Sequence, residues 1–169
     1  MSEREKARIL ALEDEPVARL HLVQLIERLG PYEVTGAGYG EEALRIADSK
    51  RLDVVVADIV MNGIDGITVA ERITARQDAG VIFVTASTDP DTKQRAESVD
   101  PVGIVQKPAG EEDLKPLIDK AIARKSNQPR EALAHPFLLD TLYDTAAVGM
   151  AVTDEYGTFI KVNRAYWQT

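Results

Sequence analysis

The segment Ile9-Leu-Ala-Leu-Glu-Asp-Glu-Pro16 is a short apolar run that ends in three acidic residues and a proline. Four consecutive apolar residues predict a β-strand that is covered on both of its faces. The proline is well tolerated in the first turn of a helix. An amphipathic helix is then predicted, because apolar residues recur at helical spacing at Leu22, Leu25, Ile26 and Leu29 before Gly30-Pro31.

The same alternation of strand and helix continues along the chain. Further strands are predicted at 32–37, 53–57, 81–84 and 102–105, and helices at 41–49, from about 66, from 89 and through 114–122. The last of these helices carries an apolar stripe formed by Leu114, Leu117, Ile118, Ala121 and Ile122. Five strand–helix alternations predict a doubly wound α/β fold with a five-stranded parallel sheet.

The composition excludes several classes of site. The 169 residues carry a formal net charge of −8 and include no cysteine. The lack of cysteine rules out disulfides, thiolate metal centres and cysteine nucleophiles. An acidic chain repels a phosphate backbone, so we expect no nucleic-acid partner. No apolar stretch approaches a membrane span or a signal segment, so we expect a cytoplasmic protein without a membrane partner.

Polar residues of related chemistry follow four of the predicted strands. Along the chain these residues are Glu13, Asp14, Asp58, Thr85 and Lys107. Because ligands of such folds bind at the carboxyl ends of the strands, we expect these side chains to share one edge of the sheet. Three carboxylates at one edge would repel each other, and a hard divalent cation such as Mg²⁺ relieves that repulsion. A lysine and a hydroxyl at the same edge add donors for a phosphoryl group.

Five short motifs resemble the receiver domain of two-component response regulators. They are Ile9–Pro16, Val54–Asp58, Gly63–Gly66, Val84–Ala86 and Lys107-Pro108. Each motif alone is weak, but all five occur in order at the predicted strand ends, which makes the signal specific. The resemblance covers about residues 7–125 and implies a flavodoxin-like fold for a receiver domain over residues 1–125.

The resemblance implies a role for each polar residue. Asp58 would be the phosphoacceptor that attacks the phosphoryl group of a histidine on a sensor histidine kinase or phosphotransfer protein. Lys107 would pair with the phosphoryl oxygens, and the Thr85 hydroxyl would turn toward the phosphate. Mg²⁺ would be held by Glu13, Asp14, Asp58 and the backbone carbonyl of Val60. Such transfer depends on positioning and charge neutralisation, and the chain itself is not expected to be an enzyme.

Three positions depart from the usual family pattern. Asn62 replaces a proline, which we expect to loosen the loop without removing the chemistry. Ile104 stands where tyrosine or phenylalanine is usual, so the aromatic movement that often reports phosphorylation is absent and the output surface is expected to switch differently. Ala109 replaces a common phenylalanine, a minor change.

The residues after Lys125 predict a second region. Residues 126–136 contain two Pro-bounded polar segments and are interpreted as a linker, helical in part. Residues 137–169 resemble the opening of a PAS sensor domain, with a short helix, a strand, a turn at Asp154-Glu-Tyr-Gly157 and a second strand. So short a segment cannot form its own core, so we expect a partial PAS domain from a longer signalling protein.

The sequence is also compatible with two other functions and with a homodimeric state. A receiver-like fold that is never phosphorylated could serve as a protein-interaction module. A magnesium-dependent phosphatase could use Asp58 as its nucleophile, but Val60 stands where that chemistry needs a second acid. A homodimer through the fifth helix, the linker or the PAS part is also expected, since a partial PAS hairpin leaves strand edges uncovered.

Overall fold

The computed structural model describes residues 6–126, 151–153 and 159–162. The chain divides into two compact units, one ending at Lys125 and the other beginning at Ser126. In the first unit, strands and helices alternate as β1 (Arg8–Leu12), α1 (Pro16–Leu29), β2 (Glu33–Ala37), α2 (Gly40–Ser49), β3 (Val54–Ala57), α3 (Gly66–Thr74), β4 (Gly80–Thr85), α4 (Pro90–Glu97), β5 (Gly103–Gln106) and α5 (Glu111–Ser126). The alternation predicted from the sequence is confirmed, with element ends shifted by one or two residues.

The five strands form one parallel sheet in the order β2-β1-β3-β4-β5. The chain leaves β1 toward β2 at one edge and returns to β3 on the other side of β1. This reversal creates a crevice at the carboxyl ends of β1 and β3, which is where open α/β sheets bind their ligands. The predicted doubly wound, flavodoxin-like sheet is therefore confirmed.

Three of the helices, α1, α3 and α4, begin at acidic side chains that cap them. Glu15 accepts hydrogen bonds from the backbone N–H groups of the first turn of α1, Asp65 from Thr68 in α3 at 2.7 Å, and Asp89 from Thr92 in α4 at 2.9 Å. Each bond satisfies a backbone donor that has no partner inside the helix. These caps fix where the loops end and hence where the strand-end residues lie.

The core consists of two apolar layers, one on each face of the sheet. Val54 and Val56 of β3 pack in the layer that includes Ile26 of α1 and Ile118 of α5. Val55 and Ala57 point the other way, into the layer that α2 and α3 complete. Successive side chains of a strand alternate between faces, so a strand that is buried on both sides must be apolar throughout. This explains the uninterrupted apolar runs in the sequence.

Lys125 anchors the last turn of α5 near the amino-terminal ends of β1 and β3. Its side chain is only 7% exposed, and its Nζ donates to the carbonyl oxygen of Leu52 at 2.6 Å and to Asp53 Oδ1 at 2.7 Å. Asp53 Oδ2 in turn accepts from the backbone N–H of Arg8 at 2.8 Å. Buried charges are tolerated when they are paired and hydrogen-bonded in this way. The end of α5 is therefore tied to the starts of β1 and β3.

The second unit contains an antiparallel pair of strands. These strands are β6 (Ala151–Thr153) and β7 (Phe159–Val162), with Ala151 opposite Val162 and a register irregularity after Val152. The predicted linker beyond Ser126, the predicted helix near 137–145 and the turn at 154–157 lie outside the described residues. The pair alone does not identify a PAS domain, whose assignment stays a prediction.

Among the described helices, none is both long enough and apolar enough to cross a bilayer.

Candidate functional site

Backbone hydrogen bonds continue the sheet just past its strand ends and so position the candidate site. The N–H of Asp58 donates to the carbonyl oxygen of Leu12 at 2.9 Å, and the N–H of Lys107 donates to that of Thr85 at 2.9 Å. The N–H of Glu13 donates to the carbonyl oxygen of Ala37 at 3.1 Å. The candidate site residues therefore lie just after the carboxyl ends of the strands, where these hydrogen bonds hold their backbones in place.

Lys107 lies between two buried carboxylates. Its Nζ is 2.6 Å from Glu13 Oε2 and 2.7 Å from Asp58 Oδ2, and the two carboxylate side chains are only 4% and 9% exposed. Burial by itself lowers the pKa of Lys107, but the hydrogen bonds to Asp58 and Glu13 and their negative charge outweigh it and raise the pKa above its ordinary value. The lysine is therefore held in its charged form beside the candidate acceptor.

Asp14 belongs to the same acidic cluster but has different partners. One carboxylate oxygen from each of Glu13, Asp14 and Asp58 lies within 4.8 Å of the others. Asp14 Oδ2 accepts two hydrogen bonds from Asn62, at 3.0 Å from the backbone N–H and at 2.8 Å from Nδ2. The third carboxylate is thus held by neutral donors rather than by the ammonium group of Lys107.

The charge and chemistry of the cluster fit a magnesium ion. Three carboxyl groups share one ammonium partner, so the cluster holds an excess of acidic groups whose mutual repulsion a divalent cation relieves. All donor atoms are oxygens, the ligand type that Mg²⁺ prefers, and few protein ligands leave room for the waters that it retains. Glu13, Asp14 and Asp58 would therefore supply the protein oxygens for such an ion.

Val60 follows the candidate acceptor and touches it through its backbone. Its N–H donates to Asp58 Oδ1 at 3.1 Å, while its side chain is 60% exposed. The loop therefore directs one carboxylate oxygen of Asp58 toward Val60 and the other toward Lys107. The side chain of Val60 lies open to solvent close to the acceptor.

Thr85 ends β4 at the same edge, but its hydroxyl group faces its own loop. The residue is 5% exposed, and its Oγ1 accepts a hydrogen bond from the N–H of Ser87 at 3.1 Å. A cavity of about 300 Å³ opens beside it, lined among others by Ile104 and Lys93. The predicted site residue is therefore close to the acidic cluster in the fold, with no direct bond to Asp58 among the described contacts.

Two further residues support the site in ways that the sequence motifs do not explain. Gly66 lies so close to the acceptor strand that an added Cβ atom would be 1.8 Å from the carbonyl oxygen of Asp58. Arg19 of α1 donates from Nη1 to the carbonyl oxygens of Glu13 at 2.9 Å and Asp14 at 3.4 Å. The glycine was visible as part of a motif, but nothing in the sequence distinguishes Arg19 from other helix arginines.

Comparison with known proteins agrees with this geometry. Residues 9–119 match the family described as "Response regulator receiver domain". The chain is 39% identical over 131 residues to "Positive alginate biosynthesis regulatory protein" of Pseudomonas aeruginosa, a match that covers 76% of this chain and 52% of that protein. It is 34% identical over 118 residues to "Transcriptional regulatory protein PdtaR" of Mycobacterium tuberculosis, covering 69% of this chain and 57% of the relative. The chain thus spans about half the length of these curated relatives.

Shorter relatives and solved structures match over nearly their whole length. "Probable chemotaxis protein CheY" of Rhizobium etli is 30% identical over 122 residues, which is 70% of this chain and 95% of that protein. The crystal structure of the signal receiver domain of modulated diguanylate cyclase from Desulfovibrio desulfuricans G20 is 37% identical with a TM-score of 0.67, covering 72% of this chain and 98% of that one. The family match ends at residue 119, before the segment 137–169 that resembles a PAS domain.

Proposed function

Because this chain belongs to the response-regulator receiver domain family, we propose that it accepts a phosphoryl group on Asp58 and relays a signal. The observation that carries the proposal is the 2.7 Å contact between Lys107 Nζ and Asp58 Oδ2 beside two further carboxylates at the switch point of the sheet. The donor is a phosphohistidine on a sensor histidine kinase or phosphotransfer protein, since receiver domains interact with such proteins.

The transfer forms one bond and breaks one. An Oδ atom of Asp58 attacks phosphorus in line with the N–P bond of the donor, and that bond breaks with its electron pair returning to the imidazole nitrogen. A donor ring that is protonated on its other nitrogen leaves as neutral histidine. The product on this chain is an acyl phosphate, so the acceptor carboxylate itself is the nucleophile and the protein supplies position and charge.

Charged groups around Asp58 would balance the arriving phosphoryl group. Lys107 is already charged and within hydrogen-bond distance of the acceptor, so it can move to the phosphoryl oxygens with little rearrangement. Glu13, Asp14, Asp58 and the backbone carbonyl of Val60 would hold Mg²⁺. The bound ion would supply positive charge for the transferring oxygens.

Thr85 would carry the change away from the acceptor. Its hydroxyl group accepts only a loop N–H among the described contacts, so rotation toward a phosphoryl oxygen costs one hydrogen bond and gains a charge-assisted one. The adjoining cavity beside Ile104 gives the β4–α4 loop room to adjust. We place the output in the region after α5, with residues 137–169 as the start of a PAS domain.

The donor would dock on the exposed apolar part of α1 next to the acceptor. Val17 is 60% exposed and Leu20 is 56% exposed, and both belong to α1. A groove of about 510 Å³ extends from Ala18 and His21 of the same helix to Lys107 and Ala109. A helix that carries the phosphohistidine could cover this surface and still reach Asp58.

Phosphorylation by a small donor tests the proposal directly. Purified chain is incubated with Mg²⁺ and acetyl phosphate, and its intact mass is measured. We expect one added phosphoryl group on the wild type and none on Asp58→Asn, which removes the nucleophile but preserves the side-chain shape. If the wild type gains no phosphoryl group from any donor, the chain is instead an interaction module.

Val60→Asn is expected to shorten the lifetime of the acyl phosphate. The exposed valine lies beside the acceptor and cannot orient a water molecule, whereas an asparagine can. One neutral hydrogen bond is worth about 1 kcal/mol, which corresponds to roughly fivefold faster hydrolysis. Ser87, small and polar near Thr85, partly opposes the protection given by Val60. Loss of phosphate is followed with time after the donor is removed.

Val60→Ala serves as the matched control because it stays apolar and shortens the side chain. It should hydrolyse closer to the wild-type rate than Val60→Asn does. An asparagine variant that keeps its phosphoryl group as long as the wild type would contradict the role given to Val60.

A further inference from the structure

Asn62 holds the carboxylate of Asp14, the member of the acidic cluster that has no described hydrogen bond to Lys107. Lys107 contacts Glu13 and Asp58, whereas the Asp14 carboxylate accepts hydrogen bonds from the two donors of Asn62. Both of these donors, the backbone N–H and Nδ2, engage the same oxygen, Oδ2. The other oxygen, Oδ1, is the one that Asn62 leaves unengaged.

We infer that Asn62 is a positioning residue for the cation site and that its side chain sets the affinity for Mg²⁺. This inference rests on the proposed function, because it concerns the same site. A carboxylate has about four acceptor positions, so two donors on one oxygen orient the group without using up its ability to bind a cation. Outer partners of this kind hold metal ligands in place and commonly change metal affinity when they are removed.

Asp14 depends on Asn62 because the remaining contacts of the loop hold only its backbone. Arg19 donates to the carbonyl oxygens of Glu13 and Asp14, which fixes the chain between β1 and α1. It does not fix the direction of the Asp14 side chain, which is half-buried at the rim of the cluster. Asn62, from the loop between β3 and α3, sets that direction and couples the two loops that carry the metal-binding groups.

The neutral character of Asn62 matters as much as its geometry. An ammonium or guanidinium group at this place would balance part of the charge that attracts a divalent cation. An amide orients Asp14 and adds no positive charge to the acidic cluster. Asn62 therefore gives Asp14 a fixed orientation without lowering the charge available to the ion.

Two substitutions at position 62 separate the two donors. Asn62→Ala removes the side-chain donor and keeps the backbone N–H, whereas Asn62→Pro removes both. Isothermal titration with MgCl₂ should show about tenfold weaker binding for Asn62→Ala and at least the same loss for Asn62→Pro. Met61→Leu in the same loop conserves volume, and Met61 has no hydrogen bond to Asp14 among the described contacts, so this variant should bind Mg²⁺ as tightly as the wild type.

A second measurement distinguishes positioning from a general effect on the fold. Because Asn62 is exposed, its substitution by alanine should shift the metal-free melting temperature by no more than about 3 °C. The additional rise caused by Mg²⁺ should be smaller in the variant than in the wild type. A merely structural role would lower the metal-free melting temperature and leave the affinity of the folded protein unchanged.

The outcomes separate this inference from the proposed function. If the wild type binds Mg²⁺ and is phosphorylated while Asn62→Ala binds the ion as tightly or more tightly, the inference is wrong and the function stands. If the wild type neither binds Mg²⁺ nor accepts a phosphoryl group, the proposed function is wrong and the inference falls with it. Weaker binding at an unchanged metal-free melting temperature supports the role of Asn62.

Discussion

Lys107→Met is expected to slow phosphorylation of Asp58 by about 100-fold, the order of effect seen when a preorganised charge at the reacting group is removed. The substitution keeps most of the side-chain volume and deletes the ammonium group that lies 2.7 Å from Asp58 Oδ2 and 2.6 Å from Glu13 Oε2. The rate is measured as the appearance of the phosphorylated mass with acetyl phosphate and Mg²⁺. Lys120→Ala, an exposed lysine of α5, is the matched control and should react like the wild type.

The same variant is expected to be less stable in the absence of metal. The side chains of Glu13 and Asp58 are buried, so removal of their shared ammonium partner leaves two buried carboxylates close to each other. Breaking a buried pair costs about 3 kcal/mol, which urea unfolding in EDTA would detect. Mg²⁺ should recover more stability in Lys107→Met than in the wild type, because it replaces the missing positive charge.

The pH dependence of this contribution has a definite sign. The folded pKa of Lys107 is raised above its ordinary value of 10.5. Its contribution to stability is therefore fully present below pH 10.5 and is lost as the pH rises through the raised folded value. The difference in stability between wild type and Lys107→Met should accordingly shrink only in strongly alkaline buffer.

A Lys107→Met variant that is phosphorylated at the wild-type rate would contradict the role of Lys107 in the transfer.

Gly66→Ala is expected to destabilise the fold by about 3 kcal/mol and to displace the acceptor. An added Cβ atom would lie 1.8 Å from the carbonyl oxygen of Asp58 and 2.9 Å from its carbonyl carbon. Both are backbone atoms of a buried strand end, so no flexible side chain can move aside. Relief requires α3 or the Asp58 peptide to shift, which should also slow phosphorylation. Urea unfolding gives the first effect and the mass assay gives the second.

Gly63→Ala in the same loop is the informative comparison. Gly63 has a φ of +82°, and its added Cβ atom would meet nothing within 4 Å. Its substitution costs only the conformational penalty of the left-handed region, about 1–2 kcal/mol. If Gly63→Ala proves as damaging as Gly66→Ala, then close approach to Asp58 is not the reason for the glycine at position 66.

The fold could be read from the sequence because each of its signals is local. The apolar run of β1 and the valines of β3 indicate strands that are buried on both faces, whatever packs against them. The stripe on α5 identifies its buried face through Leu114 and Ile118. Alternation of these elements then restricts the sheet to a parallel one.

The set of polar residues that lie near one another at the carboxyl ends of the strands was also predictable from the sequence. Glu13, Asp14, Asp58, Thr85 and Lys107 each follow or end a predicted strand, and a parallel sheet gathers strand ends at one edge. What each of these residues contacts was not predictable. The pair of hydrogen bonds from Asn62 to Asp14, which join the loop between β3 and α3 to the β1–α1 loop, had no counterpart in the sequence analysis.

The sequence by itself therefore determined the order of the elements, the parallel sheet and the set of polar residues at its edge. Only the tertiary structure decided which two carboxylates pair with Lys107, which one Asn62 holds, why position 66 must be glycine, and that Lys125 is buried at the far end of α5. The physical reason is the sequence separation of the residues in contact. Hydrophobic periodicity and helix caps act over a few residues, whereas the hydrogen bonds of Lys107, Asn62 and Lys125 join residues 48 to 94 positions apart. The close approach at position 66 depends on how α3 packs against the Asp58 peptide.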